Sequence, residues 1–181
     1  MNKFTGRVRR LGDNIDTDLI TPVSVLELPI EEIKKHAFAP LFPEFYKTVK
    51  EGDVLVAGSN FGCGSSREQA TAVVKELGIR FIVCESMARI YLRNCISLGL
   101  YPILSEGVSQ LFEEGDEIEI DLTLNLMKNI RTGRTAPFEP LNGMPREILD
   151  NGGIIPILVQ TSIHEQKKGV KLGDTFGRYA R

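Results

Sequence analysis

The sequence contains little cysteine, and its few cysteines are poorly placed for a disulfide or a metal. Only three, Cys63, Cys84 and Cys95, occur in 181 residues. Their odd number and wide spacing do not fit a disulfide framework. They form no C-x-x-C pair, and the two histidines, His36 and His164, have no neighbours at metal-ligand spacing. The sequence therefore predicts no metal site, and no iron–sulfur cluster, in this chain alone.

Long apolar runs and an excess of one charge are also lacking. No stretch approaches the roughly 20 apolar residues of a membrane span, and segment 1–18 lacks the apolar centre of a signal peptide. Lysine and arginine total 22 against 24 aspartates and glutamates, for a net charge of −2. Such a balance offers no electrostatic reason to bind nucleic acid or an anionic membrane. We therefore expect a cytoplasmic protein without either partner.

The chain can nevertheless form a hydrophobic core, since 42% of its residues are hydrophobic. This length and composition predict one domain. We expect it to cover residues 1–165, and we expect 166–181 to form a C-terminal tail that is either mobile or in contact with a partner.

The order of apolar patterns predicts an α/β fold. Between Asp53 and Leu104, strand-like and helix-like segments alternate, which is typical of a short parallel βαβ core. After it, charged and apolar residues alternate as in half-buried strands, and these form a β-rich flank. The predicted strands are Lys3–Arg10, Asp53–Ala57, Ile79–Cys84, Tyr101–Leu104, Asp116–Leu122, Leu124–Ile130 and Thr135–Glu139. The predicted helices are Pro29–Ala37, Arg67–Leu77, Ala88–Ser97 and Met144–Asn151.

The segment Gly58–Ala70, GSNFGCGSSREQA, joins a predicted strand to a predicted helix. Its glycines permit backbone conformations closed to other residues and let a ligand approach closely. We expect Ser65 or Ser66 to cap the helix, with Glu68 or Gln69 as the partner in a capping box.

Anion binding is the chemistry that this loop favours. The first N–H groups of a helix attract negative charge, and Arg67 adds a planar cation that can grip a carboxylate through two hydrogen bonds. The loop lacks the lysine of a nucleotide-binding P-loop and the third glycine of a dinucleotide-binding turn. An ordinary glycine-rich turn with a serine cap is the alternative.

The same segment resembles the signature of the swivel domain of the aconitase family, and FGCGSSREQA resembles the small subunits of its isopropylmalate dehydratase branch. Three further stretches agree with this resemblance: GDNIDTDLITP at 12–22, MARIYLRNCISLGLYPI at 87–103, and the short helix before Gly152–Gly153. It extends over roughly residues 3–160. The resemblance implies an aconitase-type swivelling β/β/α domain.

The resemblance also implies an activity. Such a chain is the small subunit of a hydro-lyase that isomerises 2-isopropylmalate and 3-isopropylmalate by dehydration and rehydration, in leucine biosynthesis. It acts only with a large subunit, as a heterodimer or heterotetramer. The [4Fe–4S] cluster of the enzyme belongs to that large subunit, so no cofactor is expected in this chain.

Residue roles follow by matching positions in the signature. Ser65 matches the family's catalytic base, which removes a proton beside a carboxylate of the hydroxy-acid substrate. Arg67 matches the arginine that binds a substrate carboxylate. Ser66 and Gly64 are expected to contact the substrate, with a helix cap as the alternative role of Ser66.

Five residues are expected to support the site: Asp16, Thr17, Asp18, Asn60 and Cys63. One of the two aspartates orients active-site groups or holds Arg67; alternatively, Asp and Thr merely build a turn and a cap. Cys63 is more simply explained as a small filler. Arg93 and Asn94 are expected to reach the active site or the large subunit, or else to lie on a solvated helix face.

The stretch that follows Pro22 corresponds to the family's substrate-selecting loop. We expect Val25, Leu26 and Leu28 to contact an alkyl branch, while Glu27 opposes a third carboxylate. Dimethylmalate and citramalate remain alternative substrates. A non-catalytic regulatory domain that binds a small carboxylate is the alternative of another class.

Overall fold

The computed structural model describes residues 2–168, and side-chain surroundings as far as 163. Within that part the strands are β1 (Lys3–Arg10), β2 (Val54–Val56), β3 (Phe81–Cys84), β4 (Tyr101–Leu104), β5 (Glu117–Asp121), β6 (Leu126–Asn129) and β7 (Thr135–Pro137). The α-helices are α1 (Thr17–Ile20), α2 (Ile30–Ile33), α3 (Phe45–Thr48), α4 (Gln69–Glu76), α5 (Arg89–Leu98), α6 (Met144–Asp150) and α7 (Ile154–Lys168). Short 3₁₀ turns cover Val23–Val25, Lys34–His36 and Val108–Gln110.

One mixed sheet, in the order β4-β3-β2-β1-β5-β6-β7, organises these elements. Strands β1 to β4 are parallel neighbours, with α4 and α5 as the crossovers of β2-α4-β3-α5-β4. Strands β5, β6 and β7 follow as antiparallel neighbours. The predicted parallel core and β-rich flank are confirmed. Strand β1 joins them, since it pairs with β2 through Val8↔Val54 and with β5 through Gly6↔Ile118.

The alternation of side chains along the strands divides the core into two clusters. In β2, Leu55 points into the cluster that α4 and α5 cover, whereas Val54 and Val56 point into the other. The second cluster also contains inward residues of β5 and β6, such as Ile118 and Met127. The sheet is therefore buried on both faces near β2, which accounts for the continuous apolar run of that strand.

Helix lengths differ from the sequence-based prediction. The helix predicted from Pro29 ends at Ile33 and tightens into the 3₁₀ turn that ends at His36. The last apolar run, from Ile154, begins a helix that continues to Lys168 and so enters the predicted tail. Residues 169–181, the rest of that tail, lie outside the described residues. None of the described helices combines the length and apolar character that crossing a membrane requires.

Candidate active-site loop

The glycine-rich loop leaves the carboxyl end of β2 and reaches α4 at Gln69. At its centre, Gly62 has φ +70° and donates its N–H to the Ile15 carbonyl at 2.7 Å. A Cβ on Gly62 would overlap the ring of Tyr91, which is buried against the loop. Glycine is thus required here for conformation and for space.

A second segment runs beside the loop and holds it. Asn14 N–H donates to the Ser59 carbonyl at 2.8 Å, and Thr17 N–H donates to the Cys63 carbonyl at 2.9 Å. A parallel bridge pairs Asp16 with Cys63. Two motifs that are about 45 residues apart in sequence therefore form one structural unit; the sequence placed both in the family signature but did not predict that they are hydrogen-bonded neighbours.

The two aspartates of the D-T-D sequence have different partners. The carboxylate of Asp16 caps α1, since it accepts from the N–H groups of Asp18 at 2.9 Å and Leu19 at 2.8 Å. The carboxylate of Asp18 accepts a hydrogen bond from Nη2 of Arg67 and forms an ion pair with it. The two alternatives from the sequence, a cap and a contact to Arg67, are thus both present, one on each aspartate.

Thr17 lies between them and contacts both predicted functional residues. Its side chain is enclosed, at 1% exposure. Its Oγ1 accepts the N–H of Ser65 at 3.0 Å and Nη2 of Arg67 at 3.3 Å. The hydroxyl of a single residue thereby connects Ser65 to Arg67.

The predicted helix cap at Ser65 or Ser66 is wrong. Helix α4 begins at Gln69, its N-cap is Glu68, and that cap has no side-chain hydrogen bond. The first helical bonds are those from Thr71 and Ala72 to the Glu68 carbonyl. Thr17 Oγ1 accepts the Ser65 N–H that the side chain of Glu68 would accept in a capping box, and residues 65–67 remain in the loop.

Ser65 and Ser66 are exposed, whereas the side chain of Arg67 is only 18% exposed. Nε of Arg67 is enclosed and has no hydrogen-bond partner among the described residues. On α5, Asn94 Nδ2 donates to the Ser66 carbonyl at 3.5 Å, and Arg93 is exposed. The loop therefore presents the hydroxyls of Ser65 and Ser66 at the surface, beside the guanidinium of Arg67, which is hydrogen-bonded to Thr17 and Asp18.

Asn60 and Cys63 support the loop in different ways. Asn60 has φ +62°, and its Nδ2 donates to Asn14 Oδ1 at 2.9 Å. Its backbone N–H donates to Ser86 Oγ at 2.8 Å. Cys63, which is half-buried, contributes its carbonyl to Thr17, as described above. Both residues maintain the shape of the loop.

The predicted substrate-selecting residues do not share one environment. Val25 ends a 3₁₀ turn and packs in the core at 8% exposure. Leu26 is half-buried, while Glu27 and Leu28 are exposed. Of the three apolar side chains, Leu28 is the one most open to a ligand or a partner.

Metal ligands are not grouped in the described part of the chain. No set of three or more His, Cys, Asp or Glu side chains there could hold a metal ion. Burial raises the pKa of the Cys84 thiol to about 12, and that of Cys95 well above its ordinary value. Cys84 and Cys95 lie in the hydrophobic core and Cys63 lies in the loop, so the described residues do not form the grouped set of cysteines that an iron–sulfur cluster requires.

Known proteins resemble this chain closely. The family model for the aconitase C-terminal domain matches residues 29–106, which contain the loop and β2 to β4. A methanogen homoaconitase small subunit from Methanocaldococcus jannaschii is 42% identical over 167 residues, covering 92% of this chain and 97% of that protein. A 3-isopropylmalate dehydratase small subunit from Lachnospira eligens is 44% identical over 154 residues, covering 84% of this chain and 92% of that protein.

The fold agrees with these relatives. A crystal structure of 3-isopropylmalate dehydratase from Methanocaldococcus jannaschii matches with a TM-score of 0.86 and 40% identity, over 92% of this chain and 99% of that chain. The resemblance predicted from the four sequence motifs, and with it the hydro-lyase class, is confirmed. This chain belongs to the aconitase family, in the group of small subunits that includes those of 3-isopropylmalate dehydratase.

Proposed function

We propose that the chain is the small subunit of a two-subunit hydro-lyase that interconverts 2-isopropylmalate and 3-isopropylmalate in leucine biosynthesis, in the cytoplasm. One observation carries the proposal: Ser65 is exposed on a loop whose neighbouring Arg67 is held by Thr17 and Asp18. The names of the relatives support the same activity.

The chemistry of dehydration needs a base and an anchor. Ser65, as the alkoxide, takes the proton from the carbon beside a substrate carboxylate. The C–H electron pair forms the double bond as hydroxide leaves the neighbouring carbon. Rehydration reverses these steps with the hydroxyl on the other carbon. Arg67 binds the carboxylate and stabilises the negative charge that develops on it as the proton leaves.

The alkoxide of Ser65 requires positive charge nearby, because a serine hydroxyl is a weak acid and its conjugate base is costly. The α4 N-terminus begins four residues later than Ser65 and is one contribution. Arg67, two residues away and mostly shielded from water, is the nearer source. Shielding from water strengthens the attraction between Arg67 and the alkoxide, because electrostatic interactions are stronger where the local dielectric constant is lower.

A partner completes the site in this proposal. The large subunit supplies the [4Fe–4S] cluster, the Lewis acid for the leaving hydroxyl in this family; the described residues of this chain contain no group of ligands for one. Exposure of Ser65 and Ser66 agrees with a surface that the large subunit covers. Covering it would exclude water from the alkoxide.

Substrate choice depends on the segment after Pro22. Glu27 is exposed and negatively charged, which disfavours a third carboxylate, and exposed Leu28 suits an alkyl branch. Isopropylmalate is therefore favoured over homocitrate, although a relative named homoaconitase is equally similar overall.

The test is reconstitution of the pair without oxygen. The chain is combined with its large subunit and assayed by ultraviolet absorbance of the unsaturated product, with 3-isopropylmalate, citramalate, dimethylmalate and homocitrate as separate substrates. We expect the highest kcat/KM with 3-isopropylmalate and no turnover by either subunit alone.

Two results would contradict the proposal. A higher kcat/KM with another of the four acids would show that 3-isopropylmalate is not the preferred substrate. A loaded complex that converts none of them, while the isolated chain binds a small carboxylate that Arg67→Ala abolishes, would replace catalysis with a regulatory binding role.

A further inference from the structure

We propose that Thr17 is the positioning residue of this site: its hydroxyl sets the geometry between Ser65, the base, and Arg67, the carboxylate anchor. The inference rests on the proposed function for the meaning of those two roles. Its structural basis is the pair of hydrogen bonds that Thr17 Oγ1 accepts, from Ser65 N–H at 3.0 Å and Arg67 Nη2 at 3.3 Å.

Both acceptor positions of the hydroxyl are used by these bonds. A threonine hydroxyl has two lone pairs and one proton. One lone pair faces a backbone donor of the loop and the other faces the guanidinium. A displacement of either donor therefore alters the surroundings of the other, so the hydroxyl couples the position of Ser65 to that of Arg67.

Thr17 itself is held from several directions. Its N–H donates to the Cys63 carbonyl at 2.9 Å, and its carbonyl accepts from Thr21 N–H at 2.9 Å. Asp16 caps the short helix that Thr17 begins. Enclosure at 1% exposure leaves the side chain little freedom to change rotamer. The hydroxyl is thus a fixed point against which Ser65 and Arg67 are placed.

The loop is shaped to approach this hydroxyl. Gly64 has φ +94°, and a Cβ placed there would lie 3.2 Å from Thr17 Oγ1. A side chain at position 64 would therefore press on the oxygen that holds Ser65. The glycine before Ser65 is explained by the approach to Thr17 as well as by any approach to a substrate.

Asp18 does not duplicate this function. It pairs with the same Nη2 of Arg67, but its side chain is 61% exposed and it makes no bond to Ser65 among the described residues. An exposed ion pair holds a side chain weakly. Without the Thr17 hydroxyl, Arg67 keeps a mobile partner and Ser65 N–H loses its own.

The experiment compares Thr17→Val, Thr17→Ser and Thr21→Val in the reconstituted pair with 3-isopropylmalate. Valine keeps the shape of threonine and removes the oxygen; serine keeps the oxygen. Thr21 is the matched control, because it is fully buried at the end of the same helix and its hydroxyl has no partner among the described residues.

We expect Thr17→Val to lower kcat about 100-fold and to raise KM, since a small misplacement of catalytic groups has an effect of that order. The kcat of Thr17→Ser should stay within about threefold of the wild-type value, and the kcat of Thr21→Val should equal the wild-type value. A second readout needs no catalysis: amide hydrogen exchange at Ser65 in the isolated chain should be faster in Thr17→Val and unchanged in the other two variants.

The proposal would be overturned if Thr17→Val changed neither kcat nor hydrogen exchange at Ser65. It would also be overturned if Thr21→Val lowered kcat as much as Thr17→Val, since the loss would then reflect general packing. If Thr17→Val does not fold, Thr17→Ala replaces it in both measurements. If the wild-type pair turns over none of the four acids, the proposed function fails. The exchange rates then still decide whether Thr17 holds the loop.

Discussion

At the scale of single residues, the D-T-D sequence shows how three adjacent side chains acquire three tasks. Asp16 caps α1, Thr17 binds the loop, and Asp18 pairs with Arg67. The sequence identified this group as supporting residues but left a capping role and a role at Arg67 as alternatives. Their division follows from helix geometry: the N-cap side chain of Asp16 faces the N–H groups ahead of it, Thr17 lies on the buried side of the helix against the loop, and Asp18 lies on its exposed side.

Ser65→Ala should lower kcat of the reconstituted pair by about 10³-fold and leave KM nearly unchanged, because loss of a base affects proton transfer more than binding. The measurement is steady-state kinetics with 3-isopropylmalate, together with deuterium incorporation at the substrate carbon. Ser97→Ala is the control, since Ser97 is an exposed serine on α5. Turnover and deuterium incorporation that persist at the wild-type level would remove Ser65 from the mechanism.

At the scale of elements, the strands were the easiest to predict and the helix termini the hardest. Apolar runs such as that of β2 are determined by burial on both faces of the sheet, and burial leaves a local pattern. The Ser65 N–H that a capping box would use is instead bound by Thr17, in a contact that spans 48 residues. A capping preference that operates over three residues cannot reveal such a contact.

Gly62→Ala should destabilise the protein by about 3 kcal/mol, through a positive φ and an overlap with Tyr91. Gly133→Ala is a matched control: its φ of +73° is nearly the same as the +70° of Gly62, but a Cβ there meets nothing within 4 Å. We expect a loss of only about 1 kcal/mol for the control. Urea denaturation of both variants separates the contribution of the positive φ from that of the overlap with Tyr91. Equal losses in the free energy of unfolding would mean that the overlap with Tyr91 adds nothing.

At the scale of the whole molecule, β1 connects the halves of the sheet, and a buried polar cluster supports the antiparallel half. The Asp116 carboxylate accepts from Arg131 Nε at 2.5 Å, from Asn129 Nδ2 at 2.7 Å and from the N–H of Glu113 at 2.9 Å. The bond from Arg131 is the main reason that the pKa of Asp116 lies well below its ordinary value. Neighbouring Val8, in β1, donates its N–H to the carbonyl of Asp116 at 2.8 Å.

This cluster predicts how stability depends on pH. A carboxyl with a lowered pKa in the folded state stabilises the protein above its unfolded pKa of about 3.9 and loses that contribution as the pH falls through the lower folded value. Asp116→Asn should therefore lower Tm at pH 7 by roughly 5 °C. It should also make the decrease of Tm between about pH 5 and pH 2 shallower than in the wild type.

Thermal unfolding across that range checks the prediction, with Asp150→Asn as the control. Asp150 pairs with Arg146 on α6, but its carboxylate is half-exposed, so its removal should change Tm little. Parallel acid profiles for Asp116→Asn and the wild type would show that the cluster does not contribute to acid stability.

The resemblance to the aconitase family assigned the base to Ser65. The sequence by itself determined the order of the strands, the helices α4, α5 and α6, the glycine-rich loop, and Arg67 as a cation suited to a carboxylate. These depend on local pattern and on side-chain type, which are present in the unfolded chain. Only the tertiary structure decided that Thr17 joins Ser65 to Arg67, that α4 starts at Gln69, and that Val25 packs in the core. Contacts between distant segments decide such details, because an N–H that a distant oxygen accepts is no longer available to a capping-box side chain nearby in sequence.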